Sequence, residues 1–133
     1  MTIKGNKMKC EIITPNGAIF SGDIASITLP GSEGEFGVMP NHASLVTLLN
    51  SGVIEIEKED KSKELIAIDW GHVKVDEGKV TVLAEGAVSI SGSGSEIAQA
   101  LEEAKKLVSS MSDSDVAIAT ATAKLESAAK GNF

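Results

Sequence analysis

The chain of 133 residues contains no arginine: all twelve of its basic residues are lysines, and nineteen acidic residues give it a net charge of −7. Affinity for nucleic acid depends on clustered cations that displace counterions from phosphates. The planar guanidinium fork is also the group that usually binds a phosphate at two points. The composition therefore argues against a nucleic-acid-binding protein, and any nucleotide site would have to be built without arginine.

Cysteine and long apolar runs are also scarce. Cys10 is the only cysteine, so no internal disulfide can form, and the chain suits a reducing compartment. We interpret Cys10 as a small buried hydrophobic residue. No run of 18 apolar residues occurs, and the polar residues 1–7 are not followed by the apolar stretch of a secretory signal. We therefore expect any contact with a membrane to be indirect, through a partner.

The apolar pattern up to about residue 90 has the period of two that indicates β-strands. Residues 53–59 and 72–85 alternate apolar and polar positions, although Val53 is out of step, and the second stretch turns at Glu77–Gly78. The lysine and glutamate residues of 57–64 predict a solvated hairpin tip. Further candidate strands are residues 9–14, 18–22, 24–30, 44–49 and 64–70. Many short strands at close spacing are typical of an antiparallel sandwich or barrel.

After residue 90 the pattern changes. A Gly/Ser-rich link is followed by residues 96–111, whose apolar positions form one helical stripe, and by the alanine-rich residues 112–131. The predicted fold class is therefore α+β: an N-terminal antiparallel β-sandwich over residues 8–90 and a C-terminal antiparallel two-helix hairpin over residues 96–131. Because alanine contributes little on burial, we expect the hairpin to dock and undock easily.

Residues that could support catalysis or metal binding are few. Candidates are His42, His72, Cys10 and scattered carboxylates, without the His-x-x-x-His, Cys-x-x-Cys or Gly-x-Ser-x-Gly spacings of known sites. His72 is in step with Lys74 on the polar side of its strand, which indicates a solvated side chain. We predict no catalytic residue, no metal and no cofactor, while a small metal-dependent enzyme built on His42 stays as an alternative hypothesis.

The segment from Gly31 to Leu45, "GSEGEFGVMPNHASL", is the most unusual part of the chain. Its glycines allow tight bends, and the bends present Glu33, Glu35 and Phe36. A phosphate-binding loop is unfavourable here because carboxylates repel phosphate. The residues alone leave three readings open: a surface read by another protein, a free-standing module for a small ligand or peptide, and a tight corner without a partner.

Three segments in this order resemble the epsilon subunit of bacterial F-type ATP synthases and its chloroplast epsilon and mitochondrial delta counterparts. They are residues 13–56, which include "GSEGEFGVMPNHA", residues 69–88, and the two-helix tail. The resemblance implies a flattened sandwich of about ten strands, a C-terminal helical hairpin and no catalysis of its own. It also implies a rotor protein, peripheral to the cytoplasmic face of the bacterial plasma membrane, that couples proton-driven rotation to ATP synthesis.

The same resemblance implies partners and site residues. Glu33, Glu35 and Phe36 would face the c-ring of the membrane sector, and Thr14, His42 and Thr47 would lie against the gamma subunit. The tail of this family can insert among the catalytic alpha and beta subunits and restrain ATP hydrolysis. This tail lacks the basic residues that some relatives use there, so the lysines available for that role are Lys105, Lys106, Lys124 and Lys130.

The tail also departs from the family in its nucleotide motif. Many relatives have an Ile/Leu-Asp-x-x-Arg-Ala sequence that binds ATP, but Ser93 and Glu96 stand in place of its Asp and Arg. Because the ligand-binding side chains are missing, we predict no tight ATP binding. Isothermal titration calorimetry of the full chain with ATP should detect no micromolar site, and micromolar affinity would contradict this prediction.

Overall fold

The computed structural model describes residues 8–40, 44–90, 99, 102–107 and 123. Residues 8–90 contain ten strands. In chain order they are β1 (Met8–Thr14), β2 (Gly17–Ile24), β3 (Ser26–Gly31), β4 (Gly34–Val38), β5 (Leu45–Leu49), β6 (Gly52–Glu57), β7 (Lys63–Ile68), β8 (Gly71–Asp76), β9 (Lys79–Ala84) and β10 (Ala87–Ile90). The predicted β-sandwich of about ten strands is confirmed. β4 and β10 are not among the strands predicted from sequence: β4 contains Gly34 and Gly37, which are unfavourable in strands, and β10 has only four residues.

The strands form one sheet that folds over into two layers. Their order is β10-β7-β6-β3-β5-β8-β9-β1-β2, with β4 paired to β3. β3 belongs to both layers, because Thr28 pairs with Glu55 of β6 while Gly31 pairs with Leu49 of β5. The end strands β10 and β2 approach each other. The prediction of an antiparallel sandwich needs one correction: β1 and β9 run parallel. Parallel strands need a long connection, and the many residues between β1 and β9 provide one.

The core lies between the two layers. Inward-pointing residues of the strands are buried there, among them Ile12 of β1, Ile54 of β6, Ile66 of β7 and Val82 of β9. Burying one large aliphatic side chain contributes about 1.5–3 kcal/mol. This cluster of aliphatic side chains therefore supplies most of the driving force for folding.

The turns predicted from sequence are present. Glu77 and Gly78 join β8 to β9 with φ angles of 46° and 77°, the positive values that a two-residue type I′ hairpin turn requires. The charged segment 57–64 forms the connection between β6 and β7, where the Lys58 Nζ lies 2.6 Å from Glu64 Oε2. The two hairpin predictions are thus confirmed.

The outer face of β6, β7 and β10 is also apolar. Val53, Leu65, Ala67 and Ile90 lie on it and are buried together with Ala104, and Leu107 packs against the group. Ala104 and Leu107 belong to the helical residues 102–107. This contact explains why Val53 departs from strict alternation: strands that are covered on both faces carry apolar residues at adjacent positions.

Of the predicted helical hairpin, the structure describes residues 99, 102–107 and 123, and all of them are helical. The pairing of two helices and the turn between them lie outside the described residues. Within the described part of the chain, no helix has the length and apolar character needed to cross a membrane.

Cys10 lies on the inner face of β1 and is completely buried. Removal from water, together with the adjacent Glu11 carboxylate, raises the pKa of its thiol from 9.0 to about 12. The thiol is therefore neutral at physiological pH, in agreement with its interpretation as a small hydrophobic residue.

Gly71 offers a test of the packing at the start of β8. A Cβ atom there would lie 2.2 Å from the Leu83 carbonyl oxygen, which is backbone and has little room to move. We expect Gly71→Ala to lower the free energy of unfolding by about 1–3 kcal/mol, the usual cost of overpacking. Urea denaturation measures it, with Gly22→Ala as control because the nearest atom there is 3.8 Å away. Equal midpoints for the two variants would contradict the packing described.

Candidate functional site

The β3–β4 hairpin carries the glycine-rich motif. Gly31 and Gly34 pair across its turn, and Gly34 has φ +127°, which only glycine adopts easily. A Cβ at Gly31 would lie 2.8 Å from the ring of Phe36, so this glycine makes room for the ring. Phe36 is consequently half-buried against the core instead of being presented on the bend, whereas Glu33 and Glu35 are exposed.

A shallow hollow of about 420 Å³ lies between this hairpin and β5. It is lined by Glu33, Glu35 and Phe36 from the hairpin and by Val46 and Thr47 from β5. Thr47 is half-buried and pairs with the buried Val73 of β8. The structure thus brings Thr47 together with the three residues that the family resemblance assigns to the c-ring.

Thr14 lies elsewhere, at the end of β1. Its side chain is buried: the hydroxyl donates a hydrogen bond of 3.1 Å to the Gly17 carbonyl and accepts one of 3.2 Å from the Asn16 N–H. Thr14 therefore holds the β1–β2 turn. It also lines a second hollow, of about 350 Å³, with Trp70 and Leu83 among the other lining residues.

The remaining predicted residues divide into two groups. Lys105 and Lys106 are exposed on the helical residues 102–107. His42, Lys124 and Lys130 lie outside the described residues.

The most exposed apolar surface of the described chain was missed by sequence reasoning. It lies on the outer face of β5, β8, β9 and β1, and we call it the docking face. It consists of Val46, Leu48, Trp70, His72, Leu83 and Ile13.

The strand register makes the docking face continuous. Leu48 pairs with His72, His72 with Leu83, and Leu83 with Ile13, so these side chains form one row across four strands. The Trp70 ring lies edge-on to the His72 ring with 6.1 Å between their centroids. Val46 is 71% exposed, Leu48 53%, Leu83 52% and Trp70 42%. Exposed apolar patches of this kind mark sites where another surface binds.

The sequence contains a weak signal for this face. In β9, Val80 and Val82 point inward, and Lys79, Thr81 and Leu83 alternate with them on the outer face. Lys79 and Thr81 are polar, so Leu83 is an apolar residue where the alternation predicts a polar one. Val46 and Leu48 likewise occupy the outer positions of β5. Such departures from alternation indicate a second contact, but they do not reveal that Leu48 and Leu83 lie in one row.

The two layers differ in what covers their outer faces. Ala104 and Leu107 cover the outer face of β6, β7 and β10, whereas no described residue covers the docking face in the same way. Among the residues that the structure places, no group of three or more His, Cys, Asp and Glu side chains is arranged to hold a metal ion. The site that the structure supports best is therefore a protein-binding surface.

Comparison with known proteins leads to the same class of function. Residues 7–90 match the family described as "ATP synthase, Delta/Epsilon chain, beta-sandwich domain". The ATP synthase epsilon chain of Sulfurimonas denitrificans is 60% identical over 126 residues, which cover 94% of this chain and 97% of the relative. The epsilon chain of a Sulfurovum species is 57% identical over 123 residues, covering 92% and 96%.

A solved structure gives the same result. One chain in the cryo-EM structure of the Euglena gracilis mitochondrial ATP synthase, described as "OSCP/F1/c-ring in rotational state 1", superposes with a TM-score of 0.63 at 25% identity. The match covers 99% of this chain and 85% of that one. On the strength of the matched sandwich and of relatives at this level of identity, the chain belongs to the delta/epsilon family of ATP synthase subunits.

Proposed function

We propose that this protein works as a rotor component in the central stalk of a proton-translocating F-type ATP synthase. It passes rotation of the c-ring to the gamma subunit and catalyses no reaction itself. The observation that carries the proposal is the docking face, because the large apolar side chains of Val46, Leu48, Trp70 and Leu83 are exposed together on it and such patches mark sites where another surface binds. The names of the relatives support an ATP synthase as the complex that supplies this partner.

The docking face is the proposed contact with gamma. Its Trp70 is of the residue type that often supplies a large share of the binding free energy at protein interfaces, and Leu83 and Leu48 add exposed apolar area beside it. Thr14 and Thr47 remain candidates for this contact. Thr14 lines a hollow together with Trp70 and Leu83, and Thr47 lines a hollow together with Val46, so each lies beside the docking face. His42 is proposed on the family resemblance alone.

The β3–β4 hairpin is the proposed contact with the c-ring. Glu33 and Glu35 are exposed at its end, and Phe36 anchors the hairpin to the core behind them. Carboxylates held on a rigid hairpin suit polar or basic loops of a partner, since complementary charge fixes orientation and accelerates encounter. The protein thereby meets the membrane only indirectly, at its cytoplasmic face.

The helical tail is proposed to restrain ATP hydrolysis after it leaves the sandwich. In the described segment its contact rests on Ala104 and Leu107 alone, and such a contact contributes only a few kcal/mol. Lys105 and Lys106 are exposed beside it and are available to acidic segments of the catalytic subunits. Lys124 and Lys130 are proposed for the same role on sequence alone.

The gamma contact is tested by Leu83→Asp and Leu48→Asp. A carboxylate buried without a partner in an apolar interface costs several kcal/mol, so we expect the Kd for the gamma subunit to rise by about 100-fold or more. Size-exclusion co-elution and surface plasmon resonance with gamma of the same organism measure this. Ser21→Asp, at an exposed position of β2, is the control and should bind as the unsubstituted chain does. Unchanged affinity in both leucine variants would refute the assignment.

The c-ring contact is tested by reversing charge on the hairpin. Glu33→Lys and Glu35→Lys, made singly in the assembled synthase, place a cation where the partner is proposed to be polar or basic. Because like charges repel across an interface, we expect proton pumping per ATP hydrolysed to fall by about twofold or more. Inverted membrane vesicles report this ratio. Glu59→Lys makes the same change on the exposed β6–β7 turn and should keep full coupling.

A further inference from the structure

The two connections that cross between the layers beside the docking face are bonded to each other. One runs from β7 to β8 through Asp69 and Trp70, and the other runs from β9 to β10 through Glu85 and Gly86. The Asp69 N–H donates to the Gly86 carbonyl at 3.2 Å, and the Glu85 N–H donates to the Trp70 carbonyl at 3.4 Å. We call these four residues the junction.

The side chain of Asp69 holds the junction together. Its Oδ1 accepts hydrogen bonds from the Trp70 N–H at 2.7 Å and from the Gly86 N–H at 2.9 Å. Hydrogen bonds to a carboxylate are stronger than those between neutral groups. One carboxylate oxygen thus fixes the backbone of both connections at once.

The tail rests on one side of the junction. A Cβ built on Gly86 would lie 3.4 Å from Leu107 Cδ1 and 3.1 Å from Asp69 Oδ2, so Leu107 and the Asp69 carboxylate both border Gly86. Trp70, on the other connection, belongs to the docking face, where its ring contacts His72. Asp69 therefore lies between the tail contact and the docking face.

We propose that Asp69 is a positioning residue that couples docking of the tail to the affinity of the docking face for its partner. Leu107 lies beside Gly86, so the docked tail shields the partly buried bond from the Gly86 N–H to Asp69 and thereby steadies the junction that carries Trp70. When the tail leaves, water competes for the Gly86–Asp69 bond, the junction loosens around Trp70, and the docking face binds more weakly. By linkage, a partner bound at the docking face favours the docked tail by the same factor.

The identity of the partner as gamma rests on the proposed function, whereas the coupling itself can be measured without a partner. Trp70 is the only tryptophan of the chain, so its fluorescence reports the junction directly. Ala104→Glu places a charge at a completely buried contact and should release the tail in the full chain. Gln99→Glu introduces the same group at an exposed helical position and serves as the control.

The experiment is a double-mutant cycle between the tail and Asp69. In the chain that keeps Asp69, Ala104→Glu should increase iodide quenching of Trp70 fluorescence. It should also raise the Kd for gamma by about fivefold or more, which is the lower range of allosteric coupling. In the Asp69→Ala background the same substitution should change either quantity by less than about twofold. Asp69→Asn retains the Oδ1 acceptor and should restore the larger change. Gln99→Glu should change neither quantity in any background.

Gly86→Ala gives a second test that keeps Asp69. Its methyl group would lie 3.1 Å from Asp69 Oδ2, which is too close, and 3.4 Å from Leu107 Cδ1, which is an ordinary contact. It should therefore displace the Asp69 carboxylate from the junction and raise quenching and Kd in the same direction as Ala104→Glu. The coupling would be overturned if Ala104→Glu had the same effect in the unsubstituted chain and in the Asp69→Ala variant. It would also be overturned if Gly86→Ala left both quenching and affinity unchanged. Absence of gamma binding by the unsubstituted chain would overturn the proposed function, and the quenching data would then decide the coupling alone.

Discussion

Packing of the inner faces of the two layers against each other is the interaction on which the rest of this structure depends. Ile12 and Val82 in one layer and Ile54 and Ile66 in the other belong to one buried aliphatic cluster. The cluster is enclosed because β3 pairs with strands of both layers and the end strands approach each other. With the core enclosed in this way, the outer faces of the sheet are available for other contacts.

The outer faces of the two layers differ in what covers them. One is covered by Ala104 and Leu107 of the chain's own tail, and the other exposes a row of apolar side chains that includes Leu48 and Leu83. In the described segment of the tail, Ala104 and Leu107 make this contact, so that segment can be released without unfolding the sandwich. An intramolecular contact on one face and the proposed intermolecular contact on the other would suit a subunit that stays bound while its tail changes position.

Much of the fold was predictable from sequence because period and turn chemistry act locally. Alternation located most strands, and Glu77–Gly78 marked a hairpin turn because glycine readily adopts positive φ. The parallel pairing of β1 with β9 was not predictable, since it joins residues about seventy positions apart. Phe36 illustrates a similar limit: its position on a glycine-rich bend suggested exposure, but Gly31 leaves room for the ring to fold back against the core.

The sequence by itself determined the class of protein, the strand-rich first part, the absence of arginine and the motif that relates the chain to its family. These are properties of composition and of near neighbours, and they do not depend on how distant segments meet. Only the tertiary structure decided that Leu48, His72, Leu83 and Ile13 form one row, and that Asp69 bonds to Gly86 beside Leu107. The physical reason is that strand register and layer crossing are set by the burial of the whole core, which no single segment encodes.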